Sequence, residues 1–254
     1  MNTDNDALYD EMASTYHLIF EDWQEAIDRQ GAIISRLVGN PTTVGPVLDC
    51  ACGIGTQVLG LASAGYAVEG SDLSAAAIHR ATAEAAIRHL QIDFRIDDMR
   101  TLTTAQPKRF GAVLAFDNAL PHLESERDIL LALAAIRDRL RSGGKLIISL
   151  RDYGLLMLER PTTLPPRFFG SAENRRIVHQ IWDWKDERRY VVHIFITAHA
   201  PNPGWTTHHY TGQYRAITLS EISALMHKVG FAHVEVLQAE ETQYYQPIVS
   251  AVRV

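Results

Sequence analysis

The chain has 254 residues, 46% of them hydrophobic and 21% charged, with a formal net charge of -6. That length buries one full core, and those fractions are ordinary for a globular protein. An acidic balance without a basic stripe argues against a nucleic-acid surface, which needs clustered Lys and Arg against phosphate.

No run reaches the ~18 apolar residues of a membrane span. Neither nucleic acid nor a membrane is therefore an expected partner. The opening Met1-Asn2-Thr3-Asp4-Asn5-Asp6 is polar and acidic, unlike the basic-then-apolar order of a signal peptide. The only cysteines, Cys50 and Cys52, are two positions apart and too few for a structural zinc site. Disulfide geometry disfavours joining them, so a cytoplasmic chain with free thiols is expected.

In chain order, Leu8, Met12, Tyr16, Ile19 and Phe20, then Ile27, Ile33, Ile34, Leu37 and Val38, recur at intervals of three and four. That period predicts helices over residues 7–38, stopped by Gly39-Asn40-Pro41. Strands are expected at 47–49, 67–71, 92–96, 112–116 and 145–150, with helices at 56–64, 74–89 and 125–141 between them. Strands separated by helices of this length imply a parallel, doubly wound sheet. Basic residues and glycines from Arg137 to Gly144 close the last of these helices.

After Arg151 the character changes. Pro161, Pro165 and Pro166 punctuate a loop. Three antiparallel strands are then expected at 176–184, 190–200 and 205–215, with turns at Lys185-Asp186-Glu187 and Pro201-Asn202-Pro203-Gly204. A helix at 219–229 and strands at 234–237 and 248–254 complete the chain. The expectation is an α/β fold, a Rossmann-like seven-stranded sheet in a single domain over 1–254. Its parts are a helical lid (1–40), a core (46–150), an inserted antiparallel β cap (170–216) and a C-terminal return to the core (218–254).

The stretch from Pro46 to Gln57 runs strand, glycine turn, helix. Such an order presents backbone N–H groups and a helix N-terminus to a ligand at the carboxyl edge of a sheet. Its spacing, D-x-A-C-G-x-G, is shorter than the G-x-G-x-x-G dinucleotide fingerprint. The second strand ends at Asp72, about 20 residues further on, where an acid can accept both hydroxyls of a ribose. Asp72 can equally share the cap of the next helix with Ser74. The third strand ends in Asp97-Asp98-Met99 and the fourth in Phe116-Asp117-Asn118, with His122 beyond.

These motifs, in this order and spacing, resemble those of class I S-adenosylmethionine (SAM)-dependent methyltransferases over residues 46–150. The resemblance implies SAM as cofactor, S-adenosylhomocysteine as product, and a small-molecule acceptor. It implies a cofactor site of Asp49, Ala51, Cys52, Gly53, Gly55, Gln57, Asp72, Leu73, Asp97, Asp98, Met99, Phe116, Asp117, Asn118 and His122. Asp98-Met99 matches the family's adenine-reading pair best, with Asp97 as the neighbour open to confusion. Tyr9-Asp10-Glu11-Met12-Ala13 and Tyr16-His17 resemble the lid of glycine/sarcosine and related small-molecule N-methyltransferases, which adds Tyr9, Tyr16 and Trp23 to the cofactor site.

Ser149-Leu150-Arg151-Asp152-Tyr153 resembles the H-R-N-Y-D stretch of glycine N-methyltransferases, with Leu150, Asp152 and Gly154 departing from it. There the Arg binds the substrate carboxylate, so Arg151 is the expected carboxylate reader; a salt bridge to Asp152 or Asp117 is the structural alternative. Tyr16, Asn118, Arg151, Tyr153, His208, Tyr210 and Arg215 form the expected acceptor site, and Tyr16, His122 and Arg151 the catalytic set. His122 is either a general base or a helix-start residue bound to backbone.

His193, His199, His208 and His209 in the cap do not predict a metal, because alternate strand residues face opposite sides. The favoured reaction is N-methylation of a glycine- or sarcosine-like amino acid. A heterocyclic or secondary-metabolite acceptor, a non-catalytic SAM-binding protein and an NAD-dependent oxidoreductase remain open, as does the oligomeric state.

Overall fold

A computed structural model describes residues 3–200 and 204–254. Met1-Asn2 and the turn expected at Pro201-Asn202-Pro203 lie outside the described residues. Among the described residues, no helix is long and apolar enough to cross a membrane.

Strands β1 (Val47–Asp49), β2 (Val68–Asp72), β3 (Asp93–Ile96), β4 (Phe110–Ala115) and β5 (Leu140–Ser149) pair in parallel. The C-terminal strands β10 (Phe231–Leu237) and β11 (Ile248–Arg253) extend the sheet antiparallel, giving the order β10-β11-β5-β4-β1-β2-β3. The strand order reverses between β1 and β4, and ligands bind at that crevice in open α/β sheets. This is the seven-stranded Rossmann-like sheet that the alternation of elements predicts.

Two apolar cores lie on its two faces because adjacent strand residues point to opposite sides. Val113, Ala115, Leu146 and Ile148 pack with Ile129, Leu133 and Ile136 of α6 (Glu126–Arg139) and Ile222 and Met226 of α8 (Leu219–Lys228). Their neighbours Ala112, Leu114 and Ile147 face Ile33, Ile34 and Val38 of α2 (Trp23–Val38) and Val58 and Leu61 of α4 (Thr56–Ser63). Helices α2 and α4 cross closely: a Cβ on Gly60 would stand 2.5 Å from the Ile27 carbonyl oxygen.

The cap differs from its expectation. It has four strands, β6 (Thr163–Phe169), β7 (Arg176–Trp184), β8 (Arg189–Ala200) and β9 (Gly204–Arg215), all antiparallel. The stretch expected as a proline loop is strand β6. It is an edge strand, and Pro165 and Pro166 fall in a register break between Leu164 and Arg167. A proline is tolerated there because no ladder hydrogen bond is demanded of it. Likewise Gly143-Gly144, expected to end a helix, lies inside β5, which follows α6 directly.

A short helix absent from the expectation, α7 (Tyr153–Glu159), is capped by Asp152. The N-terminal helices are α1 (Thr3–Met12) and α2, separated by a 3-10 turn at Tyr16–Ile19, and the single-turn helix α3 (Pro41–Val44) leads from α2 to β1. The segment before α2 touches both core and cap. Asp10 accepts hydrogen bonds from Ser74 Oγ (2.5 Å) and Ala76 N (3.0 Å) at the start of α5 (Ala75–Ile87). Leu8 and Met12 join Val178, Trp182, Tyr190 and Tyr214 in a third core, and Arg176 donates to the Leu18, Phe20 and Glu21 carbonyls.

Candidate functional site

A cavity of about 390 Å³ opens at the carboxyl ends of β1, β2, β3 and β4, beneath the N-terminal segment. That is within the size range of small-molecule sites. Its floor is the β1–α4 turn. Gly53 (φ +51) and Gly55 (φ +94) both take left-handed backbone there, which a side chain would strain. Gly53 lines the cavity with open space where a Cβ would be, so any side chain there would take ligand room.

Asp72 takes up the helix-start role open to it in the sequence and also lines the cavity. Its Oδ2 accepts from Gly53 N (2.8 Å) and its Oδ1 from Ser74 N (3.0 Å), which ties the glycine turn to the start of α5. Ser74 itself supplies the helix cap, accepting from Ala77 N. A carboxylate oxygen has two lone pairs, so Asp72 keeps acceptor capacity toward the cavity that it lines. Burial raises its pKa above the ordinary carboxylate value, opposed by the backbone N–H groups of Ser74 and Gly53.

Asp49 lies behind the turn, fully buried. One oxygen accepts from Ala51 N (3.1 Å), while Oδ2 has no hydrogen-bond partner among the described residues. Burial pushes its pKa up to about 8 against the Ala51 bond, with further elevation from Asp72 and Asp117.

At the end of β3 the two acids divide the work. Asp97 accepts from Asp98 N and from both the N–H and hydroxyl of Thr103 and of Thr104. Its side chain therefore builds the turn. Asp98 is bound by Arg100 through both carboxylate oxygens, and that pairing outweighs burial to hold its pKa below the usual value. Asp97, Asp98 and Met99 all line the cavity.

After β4 the chain enters an unusual turn. Asp117 (φ 57) and Asn118 (φ 66) are consecutive left-handed residues, a conformation that short polar side chains tolerate best. Ser149 holds the turn, its Oγ accepting from Asp117 N (2.7 Å) and its carbonyl from Asn118 N (3.2 Å). The Asp117 carboxylate thereby enters the cavity, where Gln57 Nε2 (2.8 Å), Tyr245 (2.6 Å) and Tyr244 donate to it.

Asn118 turns away and is 1% exposed. Its Nδ2 donates to Tyr153 OH (2.9 Å) and its Oδ1 accepts from Arg151 N (3.1 Å). Neither Asn118 nor Tyr153 lines the cavity; both support Arg151 from behind.

The Arg151 guanidinium lies 4.8 Å from the Trp182 ring and 5.4 Å from the Tyr214 ring, and donates to Tyr190 OH (3.1 Å). Tyr153 OH and Tyr190 OH are 2.7 Å apart, which continues the chain of hydrogen bonds. The salt bridge left open in the sequence does not form. Asp152 is spent capping α7 and Asp117 is held by Gln57 and the two tyrosines. Among the described residues no carboxylate pairs with Arg151.

Tyr9, Tyr16 and His122 converge on the same side of the cavity. His122 Nε2 and Tyr9 OH are 2.8 Å apart, and the imidazole also lies 4.1 Å from the Tyr214 ring, tilted by 45°, and bonds the Gln213 backbone. Burial, reinforced by the Arg151 charge and opposed by the Gln213 bond, lowers the His122 pKa to about 3. The ring is thus neutral at ordinary pH and a poor store for a proton.

Several expected site residues stand elsewhere. Trp23 packs behind the glycine turn, donating to Thr56 Oγ1 (2.9 Å) and lying under Arg80 and Arg88. Tyr210 anchors the N-terminal segment through Thr15 Oγ1 (2.7 Å). His208 pairs with Ile196 on the inner face of the cap, yet it is six residues from Tyr214, about 20 Å along the strand. Arg215 alternates to the outer face, beside Arg189.

Sequence reasoning missed Tyr244, Tyr245 and Gln246, which reach the site from the loop before β11. A doubled tyrosine between Gln243 and Gln246 was the only available signal.

The residues fit a SAM molecule. The acid Asp72 stands beside Gly53, where the missing side chain leaves open space in the cavity. Comparison with known proteins agrees. Residues 47–144 match the family described as a methyltransferase domain. A glycine/sarcosine N-methyltransferase of Aphanothece halophytica is 33% identical over 113 residues, 44% of this chain and 43% of that protein. The match therefore spans less than half the length of that relative.

Among solved structures, Streptomyces venezuelae DesVI superposes with a TM-score of 0.77 at 17% identity, covering 95% of this chain and 98% of that one. SAM-bound CalS10 of Micromonospora echinaspora, an amino pentose methyltransferase, gives 0.74 at 19% identity with 95% of each chain covered. At such identities the likeness speaks for the fold alone. Residues 47–144 of this chain thus match a methyltransferase domain, and the chain as a whole shares the fold of methyltransferases of known structure.

Proposed function

We propose that the protein transfers a methyl group from SAM to the nitrogen of a small acceptor that carries a carboxylate, of the glycine or sarcosine kind. One observation carries this reading: Arg151 is a guanidinium packed among aromatic rings with no carboxylate partner among the described residues. A cation so placed is costly unless an anion arrives with the ligand. A planar fork of N–H donors suits a carboxylate. The likeness to a glycine/sarcosine N-methyltransferase supports the same class.

Bound SAM supplies an activated methyl on a positive sulfur. The chain's own residues then have to bind, orient and exclude water. Asp72 would take the ribose, with Ala51, Cys52, Gly53 and Leu73 around it, and Asp98 and Met99 would lie at the base. Gln57, Phe116 and Asp117 would flank the amino-acid part. Asn118 and Tyr153 would act through Arg151, and Gly55 and Asp49 through the turn.

Tyr9 and Tyr16 would close the site over the reacting centre. An amine attacks only once neutral, and with its low pKa His122 is better suited to fixing the Tyr9 hydroxyl than to storing the amine proton. That proton is left to water.

A second reading replaces the amino acid with an amino sugar or another larger amine. It is favoured by the aromatic wall of Trp182, Tyr190 and Tyr214 and by the fold's likeness to an amino pentose methyltransferase.

The test is transfer of labelled methyl from SAM to glycine, sarcosine, larger amino acids, amino sugars and nitrogen heterocycles. Label in an amino acid supports the carboxylate reading. Label confined to amino sugars or heterocycles overturns it.

A further inference from the structure

Phe169 of β6 lies between two guanidiniums, Arg176 at 5.1 Å and Arg167 at 5.6 Å. Their situations differ. Arg176 is committed to three carbonyls of the N-terminal segment, at Leu18, Phe20 and Glu21. Arg167 has no ion pair and no hydrogen bond among the described residues, only the Phe169 ring.

Its direction follows from the register. Arg167 pairs with Val178, which is 1% exposed and belongs to the inner core of the cap, so Arg167 shares the face that looks toward Tyr190 and Tyr214. The register break at Pro165-Pro166 lies immediately before it, and such breaks re-aim side chains at a sheet edge. Its electrostatic neighbours are Tyr245 and Tyr16. Tyr16 lines the cavity, and Tyr245 is 55% exposed with its hydroxyl on Asp117. Partial burial pulls the Arg167 pKa below its ordinary value, those two tyrosines opposing it.

We propose that Arg167, beside Tyr16 and Tyr245, forms a second anion subsite at the mouth of the acceptor site. It would take a carboxylate or phosphate carried by the acceptor at the end remote from its amine. The proposal rests on the methyltransferase reading and deepens it. Arg151 would hold an anionic group inside, and Arg167 would select acceptors larger than glycine that carry a further negative group outside. A guanidinium at a rim also steers anions toward the mouth, with an effect that weakens as salt rises.

The experiment uses the full chain saturated with S-adenosylhomocysteine and measures binding of matched probes by calorimetry. The pairs are O-phosphoserine against serine for phosphate, and aspartate against asparagine for carboxylate. The expected result is at least a tenfold preference for one anionic member in the wild type. That preference should shrink to under threefold in Arg167→Gln, return in part in Arg167→Lys, and weaken with salt. S-adenosylhomocysteine affinity and melting temperature serve as folding controls.

The pair that shows the preference identifies the anion. No preference in either pair, or a preference unchanged in Arg167→Gln, overturns the proposal. Methyl transfer from SAM is scored separately, so a protein that prefers anionic probes without transferring methyl would keep the subsite and lose the enzymatic reading.

Discussion

Replacing Arg151 with Met tests the acceptor reading most directly. Methionine keeps an unbranched apolar stem between Trp182 and Tyr214 and removes the charge. Truncating one partner of a desolvated, hydrogen-bonded charge pair costs about 2–5 kcal/mol. At 1.36 kcal/mol per decade, kcat/KM for a carboxylate acceptor should fall about 30-fold to several thousand-fold.

SAM affinity should change less than about threefold, because Arg151 does not line the cavity over the glycine turn. Two controls sharpen the assay. Arg151→Lys keeps the charge but loses the planar fork, so it should recover part of the loss. Glycine methyl ester, whose carboxyl is neutral, should be a poor acceptor for the wild type and no worse for the Met variant.

Stability should move the other way. The guanidinium has no counter-charge among the described residues, so Arg151→Met should melt at the same or a higher temperature than the wild type. A Met variant that keeps its kcat/KM for every carboxylate acceptor, or loses it equally for the ester, would falsify the assignment.

Asp72→Asn should weaken binding of S-adenosylhomocysteine about 10- to 100-fold, since a charge-assisted acceptor becomes a neutral amide; calorimetry reading an unchanged Kd would remove Asp72 from the cofactor site. Gly60→Ala should destabilise the fold by about 1–3 kcal/mol, because its Cβ would press on the Ile27 carbonyl at 2.5 Å; chemical denaturation measures it. His122 sets an acid limit. Its pKa is lowered to about 3 in the folded chain against about 6.5 unfolded. Between those values the unfolded state binds more protons, so stability is full above about pH 6.5 and declines as pH falls toward 3. His122→Phe should flatten that part of a melting-temperature profile, whereas an unaltered profile would mean that another group is responsible.

Much of the core was legible in the sequence because it is encoded locally. A strand–glycine–helix order, an acid at the next strand end and the alternation of elements follow from backbone freedom and hydrophobic period over a few residues. The parallel, doubly wound character of the sheet followed as well, since strands separated by helical crossovers admit few arrangements.

The acceptor side was decided only by tertiary structure. Tyr245 reaches Asp117 across 128 positions and Tyr9 reaches His122 across 113, and no local pattern marks such pairs. Strand β6 hid behind two prolines, because edge position and a register break suspend the rule that excludes them. Arg151 was visible in the sequence as a residue, but its lack of a carboxylate partner was not. Asp152 and Asp117 were available by sequence, and a helix cap and two distant tyrosines had already taken them. Local chemistry specified where a cofactor can lie, while competition among distant partners specified which charges are left for the acceptor.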